Sequence, residues 1–310
     1  MKPKILLTGK SGQIGRELNE LLPYLGDLVA LDRKQLDLNK PDEIRQAIRS
    51  IRPRLIVNAA AYTVVDQAET DEAAAQVANG DAPGLMAEEA KRIGAAMVHY
   101  STDYVFDGSK TTPYVEADPT NPINAYGKTK LAGEKAIQEA GVPYLIFRTA
   151  WVYAEEGKNF LLTILRLATQ REELRIVRDQ IGAPTWSREI ALATNRALSA
   201  IYGPREELVS FSEISGIYHM TASGETSWYE FAKTIVEECQ NLKDIPEWFA
   251  AATNRRPLVV RRVIPITSSE YLTPARRPLY SVLSNARLAV VLGTQLPDWK
   301  TQLRSLFSKR

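Results

Sequence analysis

Apolar positions along this chain fall into short continuous runs separated by amphipathic stretches, most regularly in the first half. Lys4 to Thr8 (Lys-Ile-Leu-Leu-Thr) is apolar at consecutive positions, the pattern of a strand buried on both faces. Arg16 to Leu22 places Leu18, Leu21 and Leu22 at helical spacing. Leu28 to Leu31 predicts a second strand and Asp42 to Ile51 a helix capped by Asp42 after Pro41. Arg54 to Ala61 predicts a third strand ending in small residues, and an alanine-rich helical region covers 68 to 93 with Asn79 inside it. His99 to Phe106 belongs to a fourth strand that ends in hydroxyls, and a helix follows it near Tyr126. Tyr144 to Val152 is a fifth strand. Such alternation predicts an α/β fold built on a doubly wound parallel sheet.

Beyond residue 152 the alternation breaks down. Helices are expected over 159–169, 187–201 and 226–238, short strands over 174–177 and 217–221, and a last helix from near Pro297. Residues 253–278, rich in Pro, Arg and Thr, predict few regular elements. The expected division is a first domain over 1–152, joined by the helix 187–201. Residues 153–310 then form mainly a smaller α+β domain closing over the sheet's C-terminal edge.

Composition narrows the function classes. The 310 residues carry 39 basic and 37 acidic side chains, a balance that argues against nucleic acid as the main partner. No apolar run approaches the ~20 residues of a membrane span, so no membrane partner is expected and the cytoplasm is the default location. Cys239 is the only cysteine, which excludes an intrachain disulfide and makes it filler on its helix.

The first candidate chemistry follows the first strand: Gly9-Lys-Ser11-Gly12-Gln13-Ile14-Gly15 leads directly into a helix. A strand, a glycine-rich turn and a helix make a dinucleotide cradle: glycines permit the tight turn and close backbone approach, and the helix N-terminus faces the pyrophosphate. That context makes the sheet Rossmann-like. Asp32 ends the second strand, where an acid accepts hydrogen bonds from the adenosine ribose and favours NADH. Arg33 and Lys34 follow at once and would receive a 2′-phosphate, favouring NADPH, so use of both cofactors is expected. Asp37 is either an adenine neighbour or a solvated loop acid. The small residues Ala59, Ala60 and Ala61 let a ligand approach the end of the third strand. Asn79, a poor mid-helix residue, is either a hydrogen-bonding group near the site or an exposed side chain.

The second candidate is Tyr126 and Lys130, four residues apart and so on one helix face. An ammonium held beside a phenol favours the phenolate, which lets a tyrosine serve as acid or base near neutrality. Six arginines in the tail (Arg255, Arg256, Arg261, Arg262, Arg276 and Arg277) offer forks suited to a diphosphate, with one or two expected to contact an anionic ligand.

Gly9-x-x-Gly-Gln-x-Gly15, Val57-Asn-Ala-Ala-Ala-Tyr-Thr63, His99-Tyr-Ser-Thr-Asp-Tyr-Val-Phe106, Tyr126-Gly-Lys-Thr-Lys-Leu-Ala-Gly-Glu-Lys135, Phe147-Arg-Thr-Ala-Trp-Val-Tyr153, Asp179-Gln-x-Gly-Ala-Pro-Thr185 and Thr273-Pro-Ala-x-Arg-Pro278 occur in one chain. Together they resemble the extended short-chain dehydrogenase/reductase superfamily and, within it, the dTDP-4-dehydrorhamnose reductases, nearly end to end. The resemblance implies hydride delivery from NADPH or NADH to the C4 ketone of a dTDP-6-deoxy-4-ketohexose. It implies a catalytic Thr102, Tyr126 and Lys130. Tyr126 would be the acid, Lys130 would lower its pKa and bond the nicotinamide ribose, and Thr102 would donate to the carbonyl oxygen. The same likeness places Leu38 and Thr63, with Tyr126 and Lys130, in the cofactor site. Thr102, Asp103, Tyr104, Trp151 and Arg277 fall in the substrate site, with Trp151 stacking on the sugar and Arg277 meeting the diphosphate.

One departure concerns metal. Some members of that family hold Mg²⁺ with acids at a dimer interface, and Glu17 fits the first of these. Arg188 stands where a second acid is expected, with Glu189 one residue along, so no metal is expected and both a monomer and a homodimer remain open. Two other activities compete. Nucleotide-sugar dehydratases on this fold follow Thr-Asp with a glutamate, where this chain has Tyr104; a non-catalytic regulatory subunit would tolerate loss of the Thr102, Tyr126 and Lys130 set, which is intact.

Overall fold

A computed structural model describes residues 2–202, 210–242 and 244–308. In chain order the first half forms β1 (Lys4–Thr8), α1 (Gln13–Leu21), β2 (Asp27–Leu31), α2 (Pro41–Ile51), β3 (Leu55–Asn58), α3 (Val65–Ala68), α4 (Glu72–Gln76), α5 (Ala82–Ile93), β4 (Ala96–Thr102), α6 (Ala125–Ala140) and β5 (Tyr144–Thr149). The second half adds β6 (Val152–Tyr153), α7 (Phe160–Ala168), β7 (Glu173–Val177), β8 (Ile181–Gly182), β9 (Thr185–Trp186), α8 (Ser187–Tyr202) and β10 (Gly216–His219). It closes with β11 (Thr226–Ser227), α9 (Trp228–Gln240), α10 (Glu247–Ala252), β12 (Arg262–Ile266), α11 (Ala286–Leu292) and α12 (Trp299–Ser308).

Six strands make one sheet in the order β10-β5-β4-β3-β1-β2, and every neighbouring pair in it is parallel. This is the expected α/β, Rossmann-like doubly wound sheet. Alternation along β1 shows why its residues read as continuously apolar. Ile5 and Leu7 point to one face, packing with Leu18 of α1 and Ile190 and Leu198 of α8. Leu6 points to the other, with Ile44 and Ile48 of α2, Met86 of α5 and Ile137 of α6. The strand order reverses between β1 and β3, which opens a crevice beyond their carboxyl ends. A second core packs α7, α9 and α12 around Phe231, Trp299 and Leu303, with Cys239 buried at its edge.

Several boundaries differ from the sequence reading. β3 stops at Asn58, so Ala59 to Ala61 lie beyond the strand. Helix α2 starts at Pro41, with Lys40 at its N-cap and Asp42 inside the first turn, because proline fits the first helical position. The stretch 68–93 is not one helix. A π-helical turn over Val77–Asp81 interrupts it, and Pro83 stands in the first turn of α5. Beyond residue 152, β10 joins the main sheet beside β5, a long-range pairing that local pattern does not reveal. Strand β12, which pairs with β7, occupies part of the stretch over 253–278 expected to be irregular.

A charged pair is buried where α6 meets the sheet. Arg148 of β5 donates from Nη2 to Glu134 Oε2 at 2.7 Å and from Nε to Oε1 at 3.0 Å. Their side chains are only 3% and 1% exposed, so neither charge has water as an alternative partner. Removing one member leaves the other uncompensated, a loss of about 3–5 kcal/mol. Glu134→Ala is therefore expected to lower the unfolding free energy in urea by that amount with little change in slope, and a loss below about 1 kcal/mol would show that the pair is not structural.

Candidate active site

The glycine loop closes the crevice at its β1 side. Gly9 has φ +74°, and a methyl group there would sit 2.7 Å from the Ala60 nitrogen, so only glycine lets the loop lie against the end of β3. A methyl group on Gly15 would collide with the Gly9 carbonyl. Gly12 caps α1 with backbone alone, and no side chain caps the helix, leaving its first amides for an anion. Ser11 and Gly12 are exposed, while Ile14 packs its side chain against the core. A dinucleotide pyrophosphate fits this cradle.

At the second strand, Asp32 turns the chain by accepting from the Lys34 and Gln35 amides at 2.9 and 3.2 Å. Lys10, from the glycine loop, stands 3.9 Å from its other oxygen. Arg33 is exposed beside them. An acid and two cations thus share the end of β2, and Lys10 is the member that sequence reasoning missed; a base inside the glycine loop was its signal. Asp37 spends one oxygen on Asn39, and Leu38 is buried in the core under α2, so its side chain does not line the crevice. Ala61 and Thr63 are exposed on the loop after β3, and Ala59 and Ala60 are half-buried against Gly9.

Asn79 is fully buried, not exposed. Its amide accepts from the Tyr62 N–H at 2.8 Å and donates to the Tyr62 carbonyl at 3.0 Å and to Thr129 Oγ1 at 3.2 Å. The π turn points this side chain inward, and it pins the loop after β3 to α6. Two glycines of α6 make the helix sit close. A methyl on Gly127 would strike the Tyr104 carbonyl, and one on Gly133 the Asn79 carbonyl.

Thr102, Asp103 and Tyr104 follow one another at the end of β4. The Thr102 hydroxyl donates to Asp103 Oδ1 at 3.0 Å and accepts from the Tyr104 amide at 3.2 Å. Tyr104 and Tyr126 meet edge to face, with ring centroids 5.9 Å apart. The Tyr126 phenol has its pKa pushed up to about 12, first by burial and then by the Asp103 charge, against the neighbouring Thr102 hydroxyl, which lowers it. Lys130 departs from expectation. Its Nζ turns into the sheet, donating to the Tyr100 carbonyl at 2.6 Å and lying 3.1 Å from His99 Nε2. The lowered phenol expected from the i, i+4 spacing is absent, because the Lys130 amino group has closer partners than the phenol. Burial brings Lys130 itself down to about 8, against the Glu134 charge that raises it.

Arg277 reaches the same cleft from the tail. It donates from Nη2 to Asp66 Oδ2 at 2.9 Å and from Nη1 to Thr273 Oγ1 at 2.5 Å. Of the other tail arginines, Arg255 and Arg261 pair with Glu247 and Glu172, and Arg262 pairs with Glu173, all on the exposed surface. Trp151 has φ +48°, strained for a residue with a Cβ. Its ring stacks on Trp228 with centroids 3.4 Å apart and planes 5° from parallel. Gly182 lies so close to the same indole that a methyl there would overlap it. A sugar stacking on the Trp228 side of Trp151 would have to displace Trp228, a neighbour that sequence reasoning did not assign. A cavity of about 690 Å³ lies elsewhere, between β11, the start of α9 and α12, and touches none of these groups.

Glu17, the first acid considered for Mg²⁺, is engaged within the chain. Arg188 Nη1 lies 2.8 Å from Glu17 Oε2 and 2.9 Å from Glu20 Oε2. A fixed guanidinium already supplies the positive charge, so these residues do not fit a divalent cation.

The profile of one protein family, described as the RmlD substrate binding domain, matches residues 2–310. A dTDP-4-dehydrorhamnose reductase of Burkholderia thailandensis is 50% identical over 297 residues, covering 96% of this chain and 95% of that protein. Another, of Escherichia coli K12, is 40% identical over 309 residues, 98% of this chain and 97% of that one. Among solved structures, a dTDP-4-dehydrorhamnose reductase of Bacillus anthracis in complex with NADP superposes with a TM-score of 0.87 at 34% identity, covering 100% of both chains.

Asp103 carries a testable electrostatic load. It is 2% exposed and its Oδ2 has no hydrogen-bond partner. Burial pushes its carboxyl up to about 6, against hydrogen bonds from Ser281 and Thr102. The folded state thus holds this proton more tightly than the unfolded chain, and stability falls as pH rises from about 4 to about 6. Asp103→Asn is expected to be more stable than the wild type at pH 7, by about 2–3 kcal/mol, with the gap closing near pH 4. Melting curves across that range measure it, and a gap independent of pH would refute the assignment.

Proposed function

The chain belongs to the family described as the RmlD substrate binding domain, and on that footing we propose that it reduces the C4 ketone of dTDP-4-dehydro-L-rhamnose to dTDP-L-rhamnose with NADPH or NADH. The observation that carries this reading is the edge-to-face contact of Tyr126 with Tyr104, next to Thr102 at the end of β4, in the crevice that the glycine loop closes from β1. Gly9, Ser11, Gly12, Gln13 and Ile14 would hold a nicotinamide dinucleotide, which would supply the hydride when bound. Asp32, Arg33 and Lys10 hold its adenosine end; Asp37, Leu38, Ala59, Ala60, Ala61 and Thr63 border it, Leu38 through its backbone.

The remaining chemistry belongs to side chains of this chain. As negative charge grows on the C4 oxygen, the Tyr126 O–H transfers its proton there and becomes a phenolate. Thr102 donates a hydrogen bond to the same oxygen, stabilising charge where it develops. Lys130, once turned toward the crevice, provides the positive charge that the phenolate needs. Arg277 offers its fork to the diphosphate, Asp103 and Tyr104 wall the sugar, and Trp151 meets it through whichever face Trp228 leaves open. Residues 153–310 mainly build this substrate side, with α8 packed on the nucleotide domain of residues 1–152. The Arg188 clasp supports a reaction without Mg²⁺, in a monomer or a homodimer. Among the described residues no helix is long and apolar enough to cross a membrane, and a cytoplasmic location suits the single cysteine.

Tyr104 stands where an elimination mechanism needs a carboxylate, which favours simple reduction over a dehydratase. The test follows cofactor absorbance with the dTDP-4-keto-6-deoxy sugar. Wild type is expected to consume NADPH or NADH only when the sugar is present, and Tyr126→Phe to lose at least about 100-fold in kcat with dinucleotide affinity retained. Dinucleotide binding without turnover in the wild type would favour the regulatory-subunit reading.

A further inference from the structure

His99 is buried at 1% exposure beneath the site, and both ring nitrogens have partners. Nδ1 lies 3.1 Å from Asn58 Nδ2, and Nε2 lies 3.1 Å from Lys130 Nζ. Which nitrogen carries the proton follows from the groups around it. The Ala60 backbone N–H, a donor only, points at Asn58 Oδ1 at 3.2 Å, and the Thr8 hydroxyl lies 2.7 Å from the same oxygen. Asn58 therefore turns its NH₂ toward His99, where Nδ1 must accept. A neutral imidazole that accepts at Nδ1 carries its hydrogen on Nε2. That hydrogen points at Lys130, and an ammonium group has no lone pair to receive it.

We propose that Asn58 and His99 favour the neutral amine of Lys130, His99 being a positioning residue that sets how tightly the lysine holds its proton. The amine accepts from His99 Nε2–H and donates to the Tyr100 carbonyl. Protonating it requires the imidazole hydrogen to leave Nε2 for Nδ1, where it meets the Asn58 NH₂. Asn58 must then reverse its amide and give up the Ala60 N–H. The charged groups facing this chain are Glu134 and Tyr126 on α6, Asp103 after β4 and Arg148 on β5; Glu134 opposes the neutral amine and Arg148, bound to Glu134, offsets that opposition. Burial and the nearby lysine hold His99 well below its usual pKa, consistent with a neutral ring.

This rests on the reductase reading only for its kinetic consequence. The chain contains two histidines. His219 provides an internal contrast, since its Nδ1 faces the Tyr114 carbonyl at 3.1 Å and must carry the hydrogen. In ¹⁵N-histidine-labelled full-length protein at pH 9, one ring is expected as the Nε2–H tautomer and the other as Nδ1–H. The ring that shifts in Lys130→Met identifies His99. Two Nδ1–H rings, or a His99 carrying both hydrogens, would overturn the proposal. In kinetics, kcat is expected to fall above pH 8, as Lys130 loses its charge near that value. His99→Gln, whose carbonyl can accept from an ammonium, should move that fall upward by about one pH unit. An unmoved limb in an active His99→Gln enzyme would equally overturn it, whereas absence of turnover in the wild type would refute the reductase reading and leave the tautomer result standing.

Discussion

The close seating of α6 on the end of β4 is the constraint on which the site depends. One side of that helix carries Tyr126, Gly127, Lys130, Gly133 and Glu134, and each meets a fixed group. Gly127 and Gly133 admit the Tyr104 and Asn79 carbonyls. Lys130 reaches the Tyr100 carbonyl, and Glu134 receives the Arg148 fork. Those contacts fix the height and rotation of the helix, and with them the place of the Tyr126 phenol beside Thr102. A helix needing room for a methyl at either glycine would lift the phenol from the strand end, and proton transfer tolerates little displacement.

Around that seat, segments remote in sequence are drawn to the same crevice. Asn79 clamps the loop after β3 to α6, and Asp66 of α3 holds the tail arginine Arg277. Asn124, which caps α6 through the Gly127 amide, also donates to the Arg276 carbonyl. The start of α6 and the tail segment that carries Arg277 are therefore tied to each other. Trp151, at the end of β5, is similarly preset by Gly182 and Trp228, at the expense of a strained backbone.

Much of this was legible in the sequence because it rests on local period and local chemistry. Continuous apolar runs predict strands covered on both faces, and the Gly9 to Gly15 turn predicts a cradle, since glycine spacing is itself the geometric requirement. The i, i+4 relation of Tyr126 and Lys130 correctly put both on one helix but not both in one cleft. Where a long side chain goes depends on competing partners, and the carbonyl of Tyr100 and ring of His99 are tertiary neighbours invisible to spacing. The same reason hides the pairing of β10 with β5, the Trp228 stack on Trp151, and Lys10 beside Asp32. The break in the 68–93 helix had a local sign in Asn79, whose amide serves a tertiary bond better than a helical surface.

The direct test of the account is the fate of a label. With NADPH deuterated at the transferable position of the nicotinamide and the dTDP-4-keto-6-deoxy sugar, each product molecule is predicted to carry one deuterium at C4, with one cofactor oxidised per sugar. Sugar converted without consumption of cofactor, or with no deuterium at C4, would contradict a reduction in which Tyr126 protonates the C4 oxygen.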